Sequence, residues 1–242
     1  MQGIILAAGR GSRLKHYTKE IPKTFNKFKN NRFIDLIINN FEDNNIKRIN
    51  IVTGYKSNLF REFKYNKIFN RKWHLTSIFY SLFKAKKILE KRTCIISYSD
   101  IVFNKNALKL LKNQKGEIII LNNVNWKIFW QRRFKYPLKD LETFDFIKTK
   151  KGNFLTEIGN KTKNYSLING QFCGLFKITP KGWKKITNFI KSTKLDISKI
   201  DITSFFSKFL KKNRRVVQIV NYQDEWHEID TIKDLKILNL ND

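Results

Sequence analysis

Between Gly3 and Lys23 the chain reads G-I-I-L-A-A-G-R-G-S-R-L-K-H-Y-T-K-E-I-P-K, and this is where its residue types most clearly suit chemistry on phosphates. An apolar run, 4–8, breaks into Gly9-Arg10-Gly11-Ser12-Arg13. Ala7, Ala8, Gly9 and Gly11 are small enough for backbone to approach a flat base or a phosphate. Successive backbone N–H groups in such a loop form a concave anion site. Arg13 offers a planar fork of donors to phosphate oxygens. Lys23, after the fixed φ of Pro22, adds a point charge. Together they suit a nucleoside triphosphate. Two familiar phosphate-binding patterns do not fit. The loop lacks the third glycine of G-x-G-x-x-G, and no G-K-[ST] is present.

The elements around this stretch alternate between strand and helix. Residues 4–8 read as a buried strand. Residues 26–32 are polar and basic and suit a loop. Apolar spacing predicts a helix over 33–41, closed by Asp43-Asn44-Asn45. Residues 49–54 read as a second strand, and Ser57 is placed to cap a helix through Phe63. A further helix is expected from 76 to about 90. The β-α-β-α rhythm argues for a mostly parallel sheet. Residues 94–98 form the next buried strand, which runs through Ser99 into Asp100. Ligands of open α/β sheets collect at the carboxyl ends of strands, and an acid there can present Mg²⁺ to phosphates. The alternative for Asp100 is a helix cap near 105–111. After a strand at 117–121 the pattern turns antiparallel, with strands at 144–148, 154–158 and 172–178. Helices begin at Pro180 and near Ile202, and a late strand spans 216–220.

The composition sets bounds on function. The 242 residues fit one α/β domain, 1–242. No apolar run reaches membrane-spanning length, and the first one is too short and lacks the basic flank of a signal peptide. Cys94 and Cys173 sit in apolar strand-like runs and read as buried thiols, which fits a reducing, cytoplasmic setting. Their isolation from histidines argues against zinc. The formal net charge of +29 admits a nucleic-acid or membrane-surface binder. The lysines are spread along the chain rather than blocked, so a lysine-rich composition is favoured and neither partner is expected. A positive field also helps to draw in an anionic substrate.

The run from Asn125 to Glu142 is rich in aromatics and arginines without clean periodicity. Two readings stay open. It can form a lid over a small substrate, its aromatic faces holding an ammonium group. It can also be a packed insertion with Trp126 and Trp130 in the core.

The pattern L-A-A-G-x-G-x-R-L followed by P-K resembles the signature of nucleotidyltransferases that activate sugar phosphates and other small phosphates. Four later segments narrow the resemblance to the phosphocholine cytidylyltransferase group. These are Tyr80-Ser81-Leu82, the run W-x-x-x-W-x-x-R-x-x-x-P-L-x-D-x-E from Trp126, Gly170-Gln171-Phe172-Cys173-Gly174, and Trp226-His227-Glu228-Ile229-Asp230-Thr231. The resemblance spans Gly3 to Leu235. It departs from the family at Ser77, where Asn is usual, and at Gln171, where Glu is usual.

The resemblance implies a Rossmann-like, GT-A-type α/β domain with a mostly parallel mixed sheet flanked by helices. It implies CMP transfer from CTP to a small phosphonate or phosphocholine-like phosphate, with Mg²⁺ held by Asp100 and Asp230. Arg13 and Lys23 join these aspartates as catalytic residues. The nucleotide is expected on Leu6, Ala7, Ala8, Gly9, Gly11, Ser12, Arg13 and Lys23, with Tyr80 and Ser81 beside the base. The acceptor is expected near Trp126, Trp130, Arg133, Asp140 and Gln171. Relatives also act on phosphoglutamine-like acceptors. A sugar 1-phosphate is the alternative substrate, and a basic nucleic-acid-binding protein on a non-catalytic transferase fold is the alternative class. A monomer or homodimer is expected.

Overall fold

A computed structural model describes residues 1–240; residues 241 and 242, included in the expected domain, lie outside the described residues. β1 (Gln2–Ala7) leads through a 3-10 stretch to a small hairpin, β2 (Lys27–Phe28) and β3 (Asn31–Arg32), and to helix α1 (Phe33–Asp43). β4 (Ile49–Thr53) and β5 (Asn66–Phe69) precede α2 (Ile78–Lys84), α3 (Lys86–Leu89), β6 (Cys94–Tyr98) and β7 (Ile101–Phe103). The middle of the chain holds α4 (Asn106–Asn113), β8 (Ile118–Asn123), α5 (Trp126–Arg133), β9 (Glu142–Thr149), β10 (Gly152–Lys161) and β11 (Gln171–Ile178). Then come α6 (Pro180–Thr193), α7 (Ile202–Lys212), β12 (Val217–Tyr222), β13 (Trp226–Glu228) and α8 (Ile232–Leu240).

Nine strands form one mixed sheet in the order β5-β4-β1-β6-β11-β8-β12-β10-β9. β1 runs parallel to β4 and β6, and β5 runs parallel to β4. β11 enters antiparallel between β6 and β8. Helices cover both faces, so β1 is apolar at successive positions rather than alternating with polar ones. Ile4, Leu6 and Ala8 face one core, with Phe79, Trp183 and Phe205. Ile5 and Ala7 face the other, with Phe41, Leu108 and Trp130. The expected α/β architecture is therefore present, with the parallel pairing concentrated in the first half of the chain.

Several local expectations change. Ser57 does not cap an α-helix; 57–62 is a 3-10 turn entered through left-handed Lys56. The helix expected over 76–90 breaks at Ala85 into α2 and α3. The polar stretch 26–32 contains the β2–β3 hairpin, and β5 adds an edge strand with no clear sequence signal. Asp100 does not cap the following helix, whose first turn is tied by Asn104 Oδ1 accepting from the Asn106 amide.

One small element matters most for the site. β7 pairs antiparallel with β13, setting Ile101 opposite Glu228. The Ile229 amide donates to the Asp100 carbonyl at 2.9 Å. This two-stranded sheet joins the segment after β6 to the segment before α8. It brings together two aspartates separated by more than half the chain.

Candidate active site

The site forms at the carboxyl end of β1. The strand ends at Ala7 and the chain turns through Gly9 and Gly11, the latter at φ +73°. A β-carbon on Gly11 would lie 2.6 Å from the Lys23 side chain, so the loop can approach Lys23 only with glycine there. Pro22 is extended and starts a 3-10 turn that buries Lys23. The Lys23 ammonium then bridges two carboxylates, donating to Asp100 Oδ2 and to Asp230 Oδ1 at 2.7 Å each. Arg13 donates to the same Asp230 Oδ1 at 2.8 Å from an exposed position.

Burial disfavours the Lys23 ammonium, but the charges of Asp100 and Asp230 and their hydrogen bonds outweigh it. Its pKa is raised above the usual lysine value. Burial pushes the Asp230 carboxyl up, yet Lys23, Arg13 and Arg133 together hold it below the usual aspartate range. Glu228 shows the opposite balance. Burial, with Asp230 and Asp100 nearby, lifts its carboxyl to about 8 against the pull of Arg133.

A cavity of about 200 Å³ opens beside this cluster. Leu6, Ala8, Gly9, Gly11, Arg13 and Lys23 form one wall, Trp73, Thr76, Ser77, Ile78 and Ser81 another, and Ser99 and Asp100 the inner end. Seven of the residues expected to hold nucleotide, Leu6, Ala8, Gly9, Gly11, Arg13, Lys23 and Ser81, therefore line one space. Three do not. Ala7 points into the opposite core because β1 alternates faces. Ser12 is exposed, and Tyr80 sits on α2 outside the lining, with its amide donating to Ser77 Oγ. A larger cavity of about 560 Å³, between the β9–β10 hairpin and the end of α7, contains none of the carboxylate–lysine cluster.

Sequence reasoning missed Trp73, Thr76, Ile78 and Ser99, and named Ser77 only as a departure from the family pattern. Ser77 carried a legible signal as the N-cap of α2. Trp73 had none, because only the folded loop brings it to the cavity. Gly54 makes room for it, since a β-carbon there would lie 2.5 Å from the Trp73 β-carbon. Asn70, buried, holds the loop through bonds to Thr76 Oγ1 and Ser81 Oγ, both 3.1 Å.

The residues expected around an acceptor have other work. Trp130 is buried, stacks on Trp226 with ring centroids 5.5 Å apart, and donates to Asp140 Oδ2 at 2.8 Å. Trp126 is buried and stacks on Tyr165. Gln171 is buried and donates to the Glu142 carbonyl at 2.7 Å. Arg133, only 6% exposed, donates to Asp234 Oδ1 and Glu228 Oε2 at 3.0 Å each. Of the two readings left open for the aromatic run, the packed insertion is the one the fold adopts. α5 buries Trp126, Phe129 and Trp130, so this helix presents no open aromatic cage.

The donor chemistry fits a hard divalent cation. Asp100 Oδ1 is buried and has no hydrogen-bond partner among the described residues. Asp230 Oδ2 has Arg133 Nη2 at 3.6 Å, beyond hydrogen-bond range. Each aspartate thus keeps an oxygen free. No group of three or more His, Cys, Asp or Glu among the described residues could enclose a metal alone. Two carboxylates completed by substrate phosphates are the usual set for Mg²⁺.

A mostly parallel mixed sheet with a small-residue loop at its carboxyl edge, two aspartates and a buried lysine fits the nucleotidyltransferases that the comparisons name. The family description "MobA-like NTP transferase domain" matches residues 3–141, and the chain belongs to that family. It is 33% identical to CTP:phosphoglutamine cytidylyltransferase of Campylobacter jejuni, over 98% of each chain. Among solved structures it resembles the inositol-1-phosphate CTP transferase of T. maritima, with a TM-score of 0.74, 21% identity and 99% and 94% of the two chains covered. It also resembles the CTP:phosphocholine cytidylyltransferase of Streptococcus pneumoniae, with a TM-score of 0.70, 17% identity and 99% and 98% covered. At those identities the two structures speak for the fold. No helix of the described residues is long and apolar enough to cross a membrane.

Proposed function

We propose that this enzyme transfers CMP from CTP to a small phosphorylated amino acid of the phosphoglutamine type and releases pyrophosphate. The observation that carries the transfer chemistry is the Lys23 bridge between Asp100 and Asp230 beside the Gly9–Gly11 loop. Full-length similarity to the Campylobacter enzyme supports CTP and the phosphoglutamine-type acceptor. The buried Trp126 and Trp130 speak against the phosphocholine-like acceptor that an aromatic cage would have suited.

The acceptor's anionic oxygen attacks the α-phosphorus in line, forming one P–O bond as the bond to pyrophosphate breaks. That oxygen is already charged near neutral pH, so no general base is needed. The protein's task is positioning and charge neutralisation. Gly9 and Gly11 let backbone N–H groups approach the phosphates. Arg13 and Lys23 offset charge on the triphosphate and on the departing pyrophosphate. Asp100 and Asp230 would hold Mg²⁺, which when bound supplies charge neutralisation at phosphate oxygens. Trp73 and Ser81 flank the space for the base.

The test is pyrophosphate release with Mg²⁺, crossing the four ribonucleoside triphosphates with phosphoglutamine, phosphocholine, 2-aminoethylphosphonate and glucose 1-phosphate. CTP with phosphoglutamine is the expected productive pair. Release only with glucose 1-phosphate would move the enzyme to sugar-nucleotide synthesis. Lys23→Ala and Asp100→Asn are each expected to lower kcat by about 10²-fold or more, with circular dichroism unchanged. Wild-type rates in either variant would refute the assignment of these residues.

A further inference from the structure

The geometry points to Arg133 as a positioning residue: with Asp234 it forms a buried clamp that sets the Asp230 carboxylate for the cation and the phosphates. This rests on the reading of Asp230 as a ligand of the divalent cation, and extends it to residues that touch neither.

Arg133 closes α5, and its guanidinium faces three carboxyl groups. Nε donates to Asp234 Oδ1 and Nη1 donates to Glu228 Oε2, both at 3.0 Å. The second oxygen of Asp234 accepts from the Asp230 amide at 3.1 Å, from the Thr231 amide at 2.8 Å and from Thr231 Oγ1 at 2.9 Å. One side of Asp234 is therefore fixed by the guanidinium, and the other fixes the backbone that carries Asp230. Arg133 also holds Glu228, two residues before Asp230 on β13, so it anchors the chain on both sides of that aspartate.

The third contact is with Asp230 itself. Nη2 lies 3.6 Å from Asp230 Oδ2 and makes no hydrogen bond. The guanidinium therefore attracts the carboxylate without occupying its lone pairs. Lys23 and Arg13 take Oδ1 from the opposite side. The carboxylate is held in one orientation with Oδ2 left to coordinate. A lysine could supply the charge but not the fork: its single ammonium cannot reach Asp234, Glu228 and the space before Asp230 in one plane. Lys233 Nζ donates to the Arg133 carbonyl at 2.6 Å, tying the end of α5 to α8 by a second contact.

Arg133→Lys and Asp234→Asn test this in the full chain. Mn²⁺ binding to the protein with CTP is followed by electron paramagnetic resonance, together with CTP affinity without metal, kcat, KM and thermal unfolding. Both variants are expected to weaken Mn²⁺ about tenfold or more and to lower kcat, with metal-free CTP affinity within about twofold of wild type, a shift of 1.4 kcal/mol per tenfold. Lower unfolding temperature with unchanged Mn²⁺ affinity in folded variants would make the cluster merely structural and overturn the inference. If Arg133→Lys does not fold, Asp234→Asn decides by the same readouts. Asp230→Asn separates the two levels. If it keeps Mn²⁺ affinity and turnover, the reading of Asp230 itself fails. If it loses both while Arg133→Lys and Asp234→Asn keep them, only the clamp fails.

Discussion

Asp230 is held from two sides by regions built in opposite ways. On one side the Gly9–Lys23 rim brings Lys23 and the largely exposed Arg13 to Oδ1. On the other, Arg133 at 6% exposure reaches Oδ2 from a cluster drawn from α5, β13 and α8. The rim is contiguous in sequence and open to the cavity. The clamp is assembled from residues 133, 228, 230 and 234, with Arg133 and Asp234 buried. The difference teaches a division of labour: the cations beside the cavity come from a small-residue loop, while the carboxylate between them is fixed from behind by a largely buried ionic network.

The sharpest way to break this comparison is to remove the two arginines separately. Arg133→Ala leaves Asp234 buried without its cation, and breaking such a pair costs about 3–5 kcal/mol. Arg13→Ala removes a surface ion pair, with an expected stability cost of about 0–1 kcal/mol, while turnover falls. Urea unfolding and pyrophosphate release on both variants read the two effects. Equal stability losses would mean that rim and clamp are not different in kind.

A second substitution probes the rim alone. Gly11→Ala places a β-carbon 2.6 Å from the Lys23 side chain at a residue with φ +73°. The left-handed backbone alone costs about 1–2 kcal/mol. The crowding acts on Lys23 directly, so kcat is expected to fall more than thermal stability does. A variant with normal turnover would show that Lys23 tolerates displacement.

The same contrast explains what the sequence disclosed. β1, the glycine loop, Lys23, Asp100 and Asp230 were legible because strand ends and local motifs carry them. The family resemblance pairs Asp100 with Asp230 at one cation, but the contact that joins their segments, β7 meeting β13 across more than a hundred residues, has no local signal. Arg133 was visible as a residue but not as a clamp. Its motif shows a cation among aromatics, and only tertiary packing turns that guanidinium from solvent toward three carboxyl groups. Trp126 and Trp130 were ambiguous for the same reason, because an aromatic face suits a core as well as a ligand. Trp73 reached the cavity through a loop whose conformation rests on Asn70, a residue with no periodic or motif signal.

Ser77 gives the smallest effect and the finest cut between support and contact. It stands where the family pattern usually has Asn, and it both caps α2 and lines the cavity beside Lys23. Its hydroxyl accepts from the Tyr80 amide at 3.4 Å and donates to the Ile197 carbonyl at 3.3 Å. Both bonds are long, so Ser77→Ala is expected to cost about 0.5–1 kcal/mol, near the low end for a lost N-cap. Ser77→Asn keeps a capping oxygen and restores the family residue. If Ser77 acts only as a cap, Ala lowers stability, Asn recovers it, and KM for CTP stays constant across the three proteins. If it also meets the base, Asn shifts KM for CTP while stability remains at the wild-type level. Thermal unfolding and KM on the same preparations separate the two roles, and the second pattern would extend the substrate-facing region from the glycine loop to the first turn of α2.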